Sequence, residues 1–305
     1  KTEGISFSRK QNCLDNFNAV FGEAIVRDVE VADLERYKLD RTKEVSERQV
    51  DYEIGEVKKM MRTAWDSNKI SGRTWKLFGS VKKVLKAGAN VRKRKMEPQE
   101  YVTLESHLAN HHKPICALAL FTGMRPGELL PINKSSKDES TKGLTWEQVD
   151  FKNRMIVLEA EDTKTGEERK IPITDEILEI LRSIPRSLSC DHVFNYRGVP
   201  LSSIKGGIKR ACEDAGIAYG MNVKGGFVFR DLRTAADTLM VRAGVPDVYR
   251  RALMGHAQKG MDKHYAHPDF EKDLRAAMEK YTSWLKAELE SAKQSVDQTV
   301  DQNDI

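Results

Sequence analysis

The apolar residues of the first ninety positions recur at helical intervals. Phe17, Val20 and Phe21 share one face, and Gly22 follows as a stop. Asp33 to Lys38 reads as a short helix capped by Asp33. From Ser46 to Ala64 the pattern is clearer: Ser46 caps a helix whose inner face carries Val50, Ile54, Val57, Met60, Met61 and Ala64. A further helix is predicted over Thr74–Lys86, ended by Gly88. These elements predict a small helical domain over 1–88, and residues 89–98 lack apolar periodicity and read as a linker. A buried helix around Ile115, Leu118, Ala119 and Leu120 follows, ending at Thr122-Gly123-Met124, with a new start at Pro126. The period then changes. Leu144–Trp146, Met155–Ala160 and Arg169–Ile173 are short and rich in β-formers, with turn residues at 150–153 and 164–167. Helices resume over 175–182, 203–215, 231–243 and 246–254, where Gly244 and Gly255 occupy C-cap positions. A last helix is expected over 270–293, and the polar tail 294–305 has too little to bury and is expected to be disordered. The fold class is therefore mainly α with a small antiparallel β-sheet: a helical domain, then a mixed α/β domain over 99–293.

Composition narrows this picture. A chain of 305 residues is long enough for two separate cores. Its 32% charged residues, with no apolar run approaching the ~20 needed to cross a bilayer, point away from a membrane protein. No secretory leader is read ahead of the first motif, and a cytoplasmic location is expected. The net charge of +5 permits nucleic-acid binding without requiring it. Its distribution says more, because Arg92, Lys93, Arg94 and Lys95 concentrate positive charge in the linker, where they can lie on DNA phosphates. Cys13, Cys116, Cys190 and Cys212 are far apart and form no CxxC pair, so they read as small buried apolar side chains in a reducing compartment. His111 and His112, as neighbours on a helix, are expected to point apart. No metal or other cofactor is implied.

Four local signatures run in order through the second domain. They are Thr122-Gly-Met-Arg125-Pro-Gly-Glu128-Leu129, Lys164 at a hairpin tip, Arg230-Asp231-Leu-Arg233 opening a helix, and Leu253-Met-Gly-His256 with Tyr265 nine residues on. Singly each is weak. Together they suit phosphoryl transfer. A phosphodiester attacked in line develops charge on its non-bridging oxygens, and guanidinium forks match that geometry. Arg125 and Arg233 with His256 form such a clamp, Tyr265 offers a nucleophile, and Lys164 an ammonium able to protonate a leaving 5′-oxygen. The positive side chains take the place a metal ion would otherwise fill.

On these motifs the sequence resembles the tyrosine recombinase, or phage integrase, family over nearly its whole length. The resemblance implies that Arg125 is the first catalytic arginine with Glu128 as its supporting acid, Lys164 the hairpin lysine and Arg233 the second arginine. His256 is then the histidine of the Gly-His motif and Tyr265 the nucleophile; Asp231 supports the second arginine motif. The first domain looks like the family's helical core-binding domain, notably over 33–41 and 45–64. The resemblance further implies a 3′-phosphotyrosine intermediate, strand exchange through a Holliday junction, and a homotetrameric synapse. Double-stranded recombination sites, with accessory DNA-bending or directionality factors, are the implied partners, and a mobile genetic element the implied setting. Arg230 departs from the pattern, standing where the family usually carries His or Lys; since Arg does not deprotonate at working pH, the proton pathway differs here. A type IB topoisomerase is the alternative enzyme, and a catalytically dead DNA-binding regulator, suggested by Arg230, the alternative from another class.

Overall fold

The computed structural model describes residues 7–86, 88–89, 92, 94–132, 141–163, 165–256 and 269–303; Lys93, Lys164 and Tyr265 lie outside the described residues. The chain divides into two compact units, Lys1–Lys93 and Arg94–Ile305.

In the first unit the described residues form four α-helices, α1 (Phe7–Phe21), α2 (Val31–Glu44), α3 (Glu47–Asp66) and α4 (Gly72–Ser80), with a 3-10 turn at Val26–Asp28 between the first two. Polar side chains set their starts. Ser46 Oγ accepts the Gln49 N–H at 3.4 Å to cap α3, and Ser71 Oγ accepts the Thr74 N–H at 3.1 Å to cap α4. Asp33 is not the cap of α2 but sits in its first turn, its carboxylate accepting the Glu30 N–H at 3.1 Å. Helix α4 also stops six residues before the expected Lys86. The Asp51 carboxylate, reaching over from α3, accepts the N–H groups of Val84 (2.7 Å) and Leu85 (3.1 Å), and those donors are then unavailable to a helix. Phe17, Leu34, Tyr37, Val57, Met61 and Phe78 fill the core, with Phe17 edge-on to Tyr37 at 5.5 Å. Glu53 is fully buried and ionically satisfied, taking Arg41 at 2.8 Å and the Tyr37 hydroxyl at 3.1 Å.

The second unit opens earlier than the sequence pattern suggested. Met96 is buried, and a helix not anticipated from the sequence, α5 (Pro98–His107), follows it and buries Tyr101, Val102 and Leu104. Residues 94–98 are thus part of this unit. Arg94 is drawn inward onto Glu100 (2.8 Å) rather than standing free as a phosphate contact, and its side chain is only 11% exposed. Helix α6 (Lys113–Thr122) is apolar on all sides and lies in the middle of the core, where Ile115, Leu118 and Leu120 are fully enclosed. After it come α7 (Pro126–Leu129) and a three-stranded antiparallel sheet, β1 (Val149–Asp150), β2 (Met155–Leu158) and β3 (Arg169–Pro172), in the order β1-β2-β3. Ile156 pairs with Ile171, and Leu158 with Arg169. Leu144–Trp146 is not a strand of this sheet; Leu144 exchanges backbone bonds with Leu129 and Val193, and Trp146 begins a 3-10 turn. Helix α8 (Asp175–Arg182), a second small ribbon of β4 (Asn195–Tyr196) and β5 (Val199–Pro200), and helices α9 (Lys205–Asp214), α10 (Asp231–Arg242) and α11 (Asp247–Met254) complete the frame. His111 and His112 lie in a turn before α6, not on a helix, with their rings 4.1 Å apart. All four cysteines are buried and unpaired.

The final helix, α12 (Phe270–Asn303), runs ten residues past the expected end at Lys293, so the tail 294–305 expected to be disordered is helical as far as Asn303. No Gly or Pro interrupts it, and Val296 packs on the core beyond the last fully buried position, Ala292. Met278, Tyr281 and Leu285 are fully buried along it, and the Tyr281 hydroxyl donates to the Leu120 carbonyl of α6 at 2.9 Å. This bond ties the last helix to the central one.

Candidate active site

Two helices end at the same place. Helix α6 stops at Gly123, which adopts φ 63°, and α11 stops at Gly255, at φ 58°; both conformations favour glycine. Each helix end leaves carbonyl oxygens without intrahelical donors and carries the negative pole of its dipole. Three guanidinium groups from three other elements supply what is missing. Arg169, on β3, donates through Nε to the Leu253 carbonyl at 2.8 Å and through Nη2 to Thr122 O at 3.2 Å. Arg233, on the first turn of α10, donates to Gly123 O at 2.6 Å and to Met254 O. Arg125, just ahead of α7, donates to Gly255 O at 2.9 Å. The consecutive carbonyls of residues 253, 254 and 255 therefore each hold a different arginine.

One carboxylate sits among them. Glu128 is buried and accepts the Arg125 backbone N–H (2.7 Å), Arg125 Nη1 (2.6 Å) and Arg169 Nη1 (2.6 Å). Burial by itself would raise its pKa, but Arg169 and Arg125 outweigh burial and hold it below the usual range, so it stays ionised. Three cations face one anion. Burial, then repulsion from Arg169 and Arg125, lowers the pKa of the Arg233 guanidinium, and burial does the same to Arg169 against the pull of Glu128. Both remain cations at working pH, and the direction of the shift says that the cluster favours a further anion.

His256 follows directly on this junction, its backbone N–H donating to Arg251 O at 3.0 Å. Burial and the neighbouring Arg233 lower its imidazole pKa, partly offset by Asp237, so it is neutral near pH 7 with one N–H to give. Arg250 of α11 is clamped between Asp237 of α10 and Asp247, which fixes the two helices to each other beside His256.

Of the residues singled out from the sequence, Arg125, Arg233, His256 and Glu128 converge here. Asp231 is buried and accepts the Val228 N–H at 2.9 Å, holding the turn that leads into α10. Arg230, by contrast, is exposed, with Nη2 3.9 Å from Met221 Sδ at the mouth of an apolar pocket of about 360 Å³ that also includes Tyr219 and Phe229. Lys95 is exposed and Arg92 half-buried. The expectations for Lys164, Tyr265 and Lys93 fall outside the described residues. Among the described residues no group of three or more His, Cys, Asp or Glu is placed to hold a metal ion, and no helix is long and apolar enough to cross a membrane. Sequence reasoning missed Arg169. The signal was present: Arg169 shares the two-residue period of Ile171 and Ile173, both fully buried, and thus points to the inner face.

No curated protein matches the chain by sequence. Among solved structures, a lambda integrase dimer bound to a COC′ core site superposes with a TM-score of 0.64 at 17% identity, covering 88% of this chain and 73% of that one. An integrase of the Tn1549 transposon in complex with circular intermediate DNA gives 0.61 at 18%, over 90% of this chain and 94% of its own. A lambda integrase tetramer bound to a Holliday junction gives 0.62 at 17%, over 87% and 75%. At such identities the likeness is one of fold. The model of the phage integrase family matches residues 94–272, more than half of the sequence and all of the arginine cluster. The chain belongs to the phage integrase family, the tyrosine site-specific recombinases.

Proposed function

We propose that this protein cuts and rejoins DNA at specific sites through a covalent 3′-phosphotyrosine bond to Tyr265. The observation that carries the reading is the convergence of Arg125, Arg233 and His256 around two helix C-termini, with guanidinium charge exceeding the single carboxylate of Glu128. In this scheme the scissile phosphate sits against the two guanidinia, whose remaining N–H groups meet its non-bridging oxygens as negative charge builds there. Neutral His256 donates a further hydrogen bond. The Tyr265 oxygen attacks phosphorus, the bond to the 5′-oxygen breaks, and Lys164 gives that oxygen a proton. Attack by a 5′-hydroxyl from the partner strand reverses the step and frees Tyr265. Arg230, at the rim, adds positive charge that favours the ionised phenol, and the phenolic proton leaves to water.

The helical first unit contributes its own DNA-binding surface, and Arg92, Lys93 and exposed Lys95 add positive charge that attracts the duplex. Four copies assemble on paired sites in the cytoplasm and pass strands through a Holliday junction, with accessory DNA-bending factors setting direction. A nicked suicide substrate, from which the short 5′ strand diffuses away after cleavage, tests the core of this scheme. The wild-type protein is expected to accumulate a covalent DNA adduct, and Tyr265→Phe to bind the same DNA and form none. An adduct of normal yield in Tyr265→Phe refutes the assigned nucleophile.

A further inference from the structure

The arginine cluster contains one member that cannot touch DNA. Arg169 has a side chain 3% exposed, and all of its described bonds go to protein: Leu253 O, Thr122 O and Glu128. These three partners belong to the two pieces that carry Arg125 and His256, and Arg233 spans the same two helix ends through Gly123 O and Met254 O. Leu253 lies three residues before His256 at the end of α11, Thr122 three before Arg125 at the end of α6, and Glu128 holds Arg125 by both its backbone N–H and its Nη1. The aliphatic stem is as closely placed as the head. A Cβ at Gly255 would lie 2.7 Å from Arg169 Cδ, so the peptide leading into His256 rests directly on that stem.

We propose that Arg169 is the positioning residue of the site, setting the spacing between the Arg125 fork, the Arg233 fork and the His256 ring without contacting the phosphate. This rests on the reading of the site given above. The planar head matters because its nitrogens aim in three fixed directions, at α11, at α6 and at Glu128, which a rotating ammonium cannot do at once. Charge matters too, since Glu128 has Arg169 and Arg125 as its cations and, without Arg169, would draw fully on Arg125 and pull that fork off the substrate. A structural arginine remote from the chemistry would change how much protein is folded. A positioning arginine changes how the folded protein treats the two non-bridging oxygens.

The test separates these by measuring single-turnover adduct formation on saturating suicide DNA carrying a scissile phosphorothioate of defined Rp or Sp configuration. The wild-type protein, with one fork fixed against each oxygen, is expected to prefer one diastereomer. Arg169→Lys and Arg169→Met are expected to lose about 10²-fold in rate on ordinary DNA, the scale of a misplacement near 1 Å, with DNA affinity little changed. The Rp/Sp rate ratio is expected to move toward unity, more in Arg169→Met than in Arg169→Lys. Because it is a ratio, a smaller folded fraction leaves it untouched, and Arg169→Lys, which retains the buried charge, covers the case in which Arg169→Met does not fold. An unchanged diastereomer ratio in the folded variants overturns this inference alone. Failure of the wild-type protein to form any tyrosine adduct overturns the functional reading beneath it.

Discussion

Replacing Glu128 by Gln removes one charge and almost no volume from the most enclosed ion cluster in the second unit. In the native site the Glu128 side chain is 2% exposed and that of Arg169 is 3% exposed, with 2.6 Å between their bonded atoms. Removing one partner of such a pair leaves the other buried and unpaired, which costs ~3–5 kcal/mol. An amide oxygen placed where Oε2 sits keeps the bonds from the Arg125 N–H and Arg169 Nη1 without the negative charge, and the NH2 group then faces the Arg125 Nη1 donor. For a unit of this size each kcal/mol corresponds to ~2–4 °C, so a fall in Tm on the order of 6–20 °C is expected. Differential scanning calorimetry measures it directly. A double-mutant cycle with Arg169→Met then isolates the pair: the double variant is expected to be less destabilised than the sum of the singles, because with both partners gone neither charge is left orphaned. A Glu128→Gln protein that melts within ~2 °C of wild type, no more than about 1 kcal/mol on the same scale, would refute the account of Glu128 as the buried counter-ion.

Three further outcomes follow from the proposed chemistry. Lys164→Ala is expected to cleave ordinary DNA slowly but to recover on a substrate whose 5′-bridging oxygen is sulfur, a leaving group that needs no proton; absence of rescue would remove Lys164 as the acid. The His256 imidazole, followed by NMR, is expected to titrate below 6.5, and lower still in Asp237→Asn, which deletes the carboxylate that opposes burial and Arg233. Its folded state then binds fewer protons than the unfolded chain, so stability rises with pH through this window and is fully present above the unfolded value; a His256 that titrates above 6.5 contradicts the site's electrostatics. Cleavage by the wild-type protein is expected to rise with pH across the neutral range, because Arg230 accepts no proton, and Arg230→His is expected to flatten that profile, since imidazole does; wild-type rates in Arg230→Ala at every pH would place Arg230 outside the site.

The parts of the fold that the sequence made legible are those whose causes are local. Helix α8 falls on the expected residues 175–182 because Thr174 caps it and Ile177, Leu178 and Leu181 give it a single apolar face. The ends of α6 and α11 were readable from Gly123 and Gly255 for the same reason. What was hidden depended on distant partners. Helix α4 ends at Ser80 because of Asp51, thirty-three residues from the Val84 amide it binds. Helix α5 escaped notice because its buried Tyr101, Val102 and Leu104 stand among charged neighbours in a segment that begins with a proline. In the site, Arg125, Arg233 and His256 were recognisable as a spaced set. Arg169 was overlooked although its period points inward, since a strand arginine is ordinarily exposed and the partners that make its burial tolerable, Glu128 forty-one residues away and the carbonyls of Thr122 and Leu253, are all distant in sequence. Arg94 differs in the opposite sense: the run of basic residues reads as free to lie on DNA phosphates, yet Glu100 captures this one.

The arginines that end on helix carbonyls also bear on how quickly the protein can respond to DNA. A free arginine loses on the order of 2 kcal/mol of rotamer entropy when it is frozen against a ligand. Arg125 and Arg233 are already held, by Gly255 O, Gly123 O and Met254 O, with their stems fixed before any phosphate arrives. Their ordering belongs to folding rather than to association. Bonds to enclosed carbonyls are also shielded from mobile ions, unlike long-range attraction between exposed charges and the duplex. Added salt should therefore weaken capture of DNA while leaving the shape of the pocket proposed to receive the phosphate unchanged, so that a complex formed at high ionic strength is rarer but no less competent.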